Sequence, residues 1–202
     1  MVLLLPGMFE FAAPPMTGGH WFVQACREAG LLLFPDNSAF SASFYPWPEG
    51  IERDRDKDAL RVSLVCHPCD WLRSVFDAFR LGPNSESKNV GSKYLWPRFV
   101  ELPKKQGFGK FVVRYLEAMP GEATRIFNSY KADTRLRLED MPWALVELLE
   151  SMGIDRKSLD RVLALEGRQD APKRSKWRPG RPDLRQQVME AEAEFCRDLD
   201  YY

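Results

Sequence analysis

Two short apolar runs, residues 8–13 and 59–65, each pass through a turn straight into a segment of helical periodicity. Strand–turn–helix met twice within the first 80 residues constrains the fold more than any other feature, because parallel strands need helical crossovers and hairpins do not. The expected architecture is α/β, a parallel sheet flanked by helices. Further strands are expected at 31–34 and 134–138. Helices are expected at 20–29, 70–80, 108–119, 121–130, 142–152, 155–165 and 182–199, with Gly30 as the stop of the first. Residues 35–58 read as irregular, 81–96 as a polar loop, and 171–185 as a basic, proline-containing segment.

At 202 residues, with 45% hydrophobic and 29% charged side chains, the chain can close one core, and residues 1–202 are expected to form a single domain. The 29 basic and 29 acidic residues cancel. Bulk electrostatics therefore gives no reason to expect nucleic acid or an anionic membrane as partner, and any anion must be held by a local site. Residues 1–5 are apolar, but Pro6 and Gly7 follow and no basic flank precedes, unlike a secretory signal or a membrane span. Four cysteines are too few for a disulfide scaffold, and a reducing cytoplasm is the expected compartment.

The most informative stretch is Pro15-Met16-Thr17-Gly18-Gly19-His20-Trp21, between the first strand and its helix. Glycines let a backbone approach an anion closely, and a helix amino end offers N–H groups and partial positive charge. The Gly-Lys-Ser/Thr ending of a nucleotide-hydrolase P-loop is absent. A tight turn without ligand is the alternative on this stretch alone.

Set beside two later segments, the turn resembles the 5′-phosphosulfate loop of sulfotransferases, in which Pro-Lys/Arg-Ser/Thr-Gly-Thr-Thr-Trp follows the first strand. Pro15, Thr17, Gly18 and Trp21 match it. That family's Arg-x-Pro-x-Asp segment, with a Ser further along the helix, is echoed by Pro68, Asp70 and Ser74. Tyr130, Glu139-Asp140-Met141 and Gly153 follow the order of a third family segment, and the closing Asp200-Tyr201 resembles bacterial members.

The resemblance spans nearly the whole chain. It implies a P-loop NTPase-like parallel sheet and transfer of a sulfuryl group from 3′-phosphoadenosine 5′-phosphosulfate (PAPS) to a hydroxyl or amine of a small-molecule or glycan acceptor, without a metal. Thr17, Gly18, Gly19 and His20 would cradle the 5′-phosphosulfate, Trp21 would pack on the adenine, and Ser74 would bond the 3′-phosphate.

The chain departs from the family at both basic positions: the loop cation falls at Met16 and the 3′-phosphate arginine at Cys66. Each lost charge-assisted contact is worth roughly 1.5–3 kcal/mol. A non-catalytic binding relative is therefore a second reading. His20 is the candidate catalytic residue, a protonated imidazole in place of the loop cation. The run Lys173, Arg174, Lys176, Arg178 and Arg181 lies where some members carry a basic loop over the nucleotide, though it reads equally as a solvated surface.

Cys66-His67-Pro68-Cys69 after a strand is also the setting of a thiol–disulfide oxidoreductase, where a helix amino end favours the thiolate. Against it, Val65 stands where such proteins carry a tryptophan. A lone Cys-x-x-Cys makes no zinc pattern. Cys26, Cys196, Trp71, Val75 and Phe76 read as core.

Overall fold

The computed structural model describes residues 3–5, 9–14, 17–31, 60–80, 107–165 and 181–202. In chain order the elements are β1 (Leu3–Leu5), β2 (Phe9–Ala12), α1 (Gly19–Glu28), β3 (Leu60–Val65), α2 (Pro68–Arg80), α3 (Phe108–Ala118), α4 (Glu122–Ser129), β4 (Thr134–Arg137), α5 (Trp143–Ser151), α6 (Arg156–Leu163), α7 (Asp183–Ala191) and α8 (Ala193–Asp198), with a 3-10 turn at Leu138–Asp140 after β4.

The strands make one sheet in the order β1-β2-β3-β4, parallel between β2 and β3 and between β3 and β4. Leu3–Leu5 runs antiparallel to β2, so the sheet is mixed where an all-parallel one was expected. The physical reason is connection length: so short a link from Leu5 to Phe9 can return a strand only in the opposite direction. The α/β character holds.

The described residues fall into two compact units. The first takes the chain up to Val65 and again from Tyr130 to Leu165; the second takes Cys66 to Ser129 and residues 181–202.

In the first unit, alternate residues of the strands face one core. Phe9, Phe11, Val62, Leu64 and Leu136 pack with Trp21, Phe22 and Cys26 of α1, Leu145 and Leu149 of α5, and Leu159 and Val162 of α6. The Phe11 and Phe22 rings stack at 3.8 Å between centroids. Arg61 and Asp133 pin the entry to β4: the Arg61 N–H donates to Asp133 Oδ2 at 2.8 Å, and the Asp133 N–H donates to the Arg61 carbonyl at 2.9 Å.

α1 ends where Gly30 adopts φ +77°. Its N–H reaches the Arg27 carbonyl at 2.9 Å and the Leu31 N–H reaches Cys26 at 2.9 Å, the paired bonds of a Schellman closure. That closure uses the Leu31 N–H, so Leu31 does not begin a strand as expected; residues 32–34 lie outside the described residues. α6 is capped by Asp155, whose carboxylate accepts the Ser158 N–H at 3.1 Å and its hydroxyl at 2.7 Å.

In the second unit, aromatic rings carry much of the packing. Trp71 meets Phe127 edge-on at 5.7 Å, Phe127 stacks on Phe195 at 4.6 Å, and Phe76 lies between Phe108 and Phe111. Trp71, Val75, Phe76 and Cys196 are buried as expected of core residues.

The helix expected at 182–199 is two helices, interrupted at Glu192 (φ −110°, ψ 26°). The cause is tertiary. Glu192 is fully buried, and its carboxylate accepts hydrogen bonds from the Tyr115 hydroxyl, from the Thr124 N–H at 2.8 Å and from the Thr124 hydroxyl at 2.6 Å. Tyr115 in turn accepts the Ala123 N–H at 3.0 Å. Two of the donors that α4 leaves without an intrahelical acceptor are thus satisfied by side chains from other helices and their junctions.

Candidate functional site

Among the sequence-singled residues, Thr17 to Trp21 belong to the first unit and Ser74 to the second. The turn after β2 is described from Thr17 onward; Pro15 and Met16 lie outside the described residues, as does the His20 side chain. Thr17 is fully buried, and its hydroxyl donates to the Pro14 carbonyl at 2.6 Å. In this arrangement the hydroxyl closes the turn, and its proton is already committed.

Gly18 adopts φ +80° and ψ 20° at the amino end of α1. A Cβ built on it would stand 2.9 Å from Leu138 Cδ1, and one on Gly19 would stand 3.1 Å from the Ala13 Cβ. Both glycines therefore admit close neighbours of this chain, and Gly18 also needs the left-handed conformation. The amino end of α1 has no side-chain cap and no acidic residue in its first turn. Its leading N–H groups, from Gly19, His20 and Trp21, are those a helix leaves without intrahelical acceptors, and an anion suits them. Trp21 is 7% exposed and packs in the core cluster, which leaves little ring face for a base.

After β3 the chain enters the second unit at Cys66-His67, and α2 begins at Pro68. The His67 ring caps the helix: the Cys69 N–H donates to Nδ1 at 3.1 Å. His67 Nε2 lies 3.4 Å from Arg185 Nη2 on α7, and Tyr201 meets the ring edge-on at 5.2 Å. Ser74 is half-buried on α2. Its neighbour Arg73 pairs with Asp77 at 2.9 Å and lies over the Phe108 ring at 4.9 Å.

Cys66 and Cys69 are both buried thiols with no disulfide between them. Burial pushes the Cys69 thiol up to about 12, and the nearby Arg185 charge offsets only part of this.

Arg181 pairs with Asp183, while Lys173, Arg174, Lys176 and Arg178 lie outside the described residues, as do segments 35–58 and 81–96. Among the described residues no three His, Cys, Asp or Glu side chains stand together as metal ligands, and no helix is long and apolar enough to cross a membrane. Sequence reading missed Arg185 and Glu192. Their partners lie 118 and 77 residues away, and nothing in their local sequence marks them.

Comparison of the chain with protein-family models, curated proteins and solved structures returns no match.

Proposed function

We propose that this protein is a PAPS-dependent sulfotransferase with an altered donor site, on a sheet of the P-loop NTPase-like kind. The observation that carries this reading is the β2–α1–β3 parallel unit, whose connecting turn holds Gly18 in the left-handed conformation before an uncapped helix amino end. In such sheets anions bind beyond the carboxyl ends of the strands. The N–H groups of Gly19, His20 and Trp21 would hold the 5′-phosphosulfate. A charged His20 would neutralise the developing negative charge as the sulfur–oxygen bond to the donor breaks and the bond to an acceptor hydroxyl or amine forms. Ser74 is the residue proposed for the 3′-phosphate, and the acceptor is a small molecule or a glycan. Four cysteines held as thiols suit a cytoplasmic setting.

A second reading, a non-catalytic binding protein of the same fold, is favoured by the Thr17 hydroxyl being committed to Pro14 and by the neutral Met16 and Cys66. The thiol–disulfide reading has less support, because both thiols of the pair are buried and Val65 stands where such proteins carry a tryptophan.

Calorimetric titration with adenosine 3′,5′-bisphosphate decides between the first two. A sulfotransferase gives saturable binding that Met16→Lys with Cys66→Arg tightens by about tenfold or more. No saturable heat at millimolar nucleotide rejects it.

A further inference from the structure

We propose that the outward face of α5 is a docking surface for an arginine-bearing segment of a partner protein. The face breaks three local rules of helix stability at once, and one kind of occupant relieves all three. Trp143 opens the helix 57% exposed, while Leu145, Val146 and Leu149 of the same helix are buried. A large indole left in water is the kind of anchor that interfaces bury. Glu147 lies one turn further along the same face and Glu150 three residues beyond it, both exposed, so two like charges stand as i, i+3 neighbours. Glu150 also falls in the last turn, where no basic residue stands and the helix dipole favours a cation.

Among the described residues, no cation answers the carboxylates of Glu147 and Glu150. Arg137 pairs with Asp140 at 3.3 Å, Arg156 pairs with Asp160 at 3.1 Å, and Arg161 donates to the Ser158 hydroxyl at 2.8 Å. Lys157 makes no ion pair with either glutamate. Arginine fits what is left open. One guanidinium plane stacks on the indole, and a second meets a carboxylate through paired hydrogen bonds. The spacing suits an extended segment. Trp143 and Glu147 are separated by about 6 Å of helix rise, and alternate side chains of an extended chain by about 6.6 Å. Lysine would meet the carboxylates but lacks the plane.

The test is a titration of the full chain with an alternating Arg-Ala peptide, followed at the Trp143 indole N–H. The chain has six tryptophans, and Trp143→Phe assigns the signal. A saturable shift is expected, with affinity weakened by about tenfold or more in Trp143→Ala and in Glu147→Gln with Glu150→Gln. Glu190→Gln with Glu194→Gln, which neutralises an exposed acidic pair of the second unit, should leave the affinity unchanged. Glu147→Gln with Glu150→Gln should hold or raise the urea midpoint of the free chain, because it removes a repulsion and breaks no contact.

No saturable shift at millimolar peptide, unchanged affinity in Trp143→Ala, or equal weakening by the Glu190 and Glu194 changes each overturns the assignment. So does a lowered urea midpoint, which would make the two carboxylates part of the fold. An alternating Lys-Ala peptide that binds as tightly overturns the choice of arginine. A dimer that forms as concentration rises and is lost in Trp143→Ala gives the face to a second copy. A Trp143 indole N–H shielded from solvent exchange in the dilute free chain gives it to another segment of the chain itself. Either of these last results rejects a partner protein.

Discussion

Replacing Glu192 by alanine tests how far a single buried carboxylate organises the second unit. The change strands the Tyr115 hydroxyl, the Thr124 N–H and the Thr124 hydroxyl, which now bond to it. One stranded buried donor costs ~1–3 kcal/mol, which puts the ceiling for three near ~9 kcal/mol. Thr124 is only half-buried and can recover part of its loss from water. The variant also sheds the cost of holding a charge out of water, so the expected net loss is ~3–5 kcal/mol. Against a typical total of ~5–15 kcal/mol this is a large fraction.

Glu192→Gln keeps an acceptor for Thr124 but turns an amide toward Tyr115, and should cost about half as much. Urea unfolding, extrapolated linearly, measures each variant. Tyr115→Phe combined with Glu192→Ala closes a double-mutant cycle, in which a coupling of ~1–3 kcal/mol is expected. A loss below ~1 kcal/mol for Glu192→Ala, or strictly additive losses in the cycle, would refute the reasoning.

Two further outcomes follow from the geometry. Gly18→Ala should cost ~2–3 kcal/mol, combining a left-handed backbone with the Leu138 contact at 2.9 Å. In a Leu138→Ala background the steric share should vanish and the backbone share remain, so an equal cost in both backgrounds contradicts the account. Burial pushes the thiols of Cys26 and Cys69 up to about 12 and that of Cys196 to about 11, from an ordinary 9.0. Above pH 9.0 the unfolded chain releases protons that the folded chain retains, so this stability is complete below that value and lost as pH rises through 11–12. A falling urea midpoint between about pH 8 and about pH 10, with little native labelling by a disulfide reagent at the lower value, is the expected pair of results. Native labelling of Cys69 at the unfolded rate would overturn it.

What the sequence disclosed and what it hid divide along physical lines. β2, β3 and the helices after them were legible because apolar runs, Gly30 and periodic side chains are local signals. β1 was not, since three leucines carry no alternation and acquire strand character by pairing with β2. The interruption at Glu192 was invisible because Val188, Phe195 and Cys196 keep apolar helical spacing through it, while the cause lies on α3 and α4. His67 was legible as a residue of interest but not as a helix cap, a role set by which ring nitrogen meets the Cys69 N–H. Trp21 matched a family position by letter; its burial in the core is a property of packing that the letter does not carry.

The assignment of chain segments to the two units has a consequence for synthesis. The polypeptide leaves the first unit after Val65, contributes most of the second, and returns at Tyr130 to lay β4 beside β3. Neither unit is a continuous stretch. A ribosome must deliver β4 before the sheet has its edge, and α7 and α8 before α4 has its cap. Completion of either unit therefore waits on segments distant in the chain, and a nascent chain halted between Ser129 and Tyr130 holds two unfinished cores rather than one finished domain.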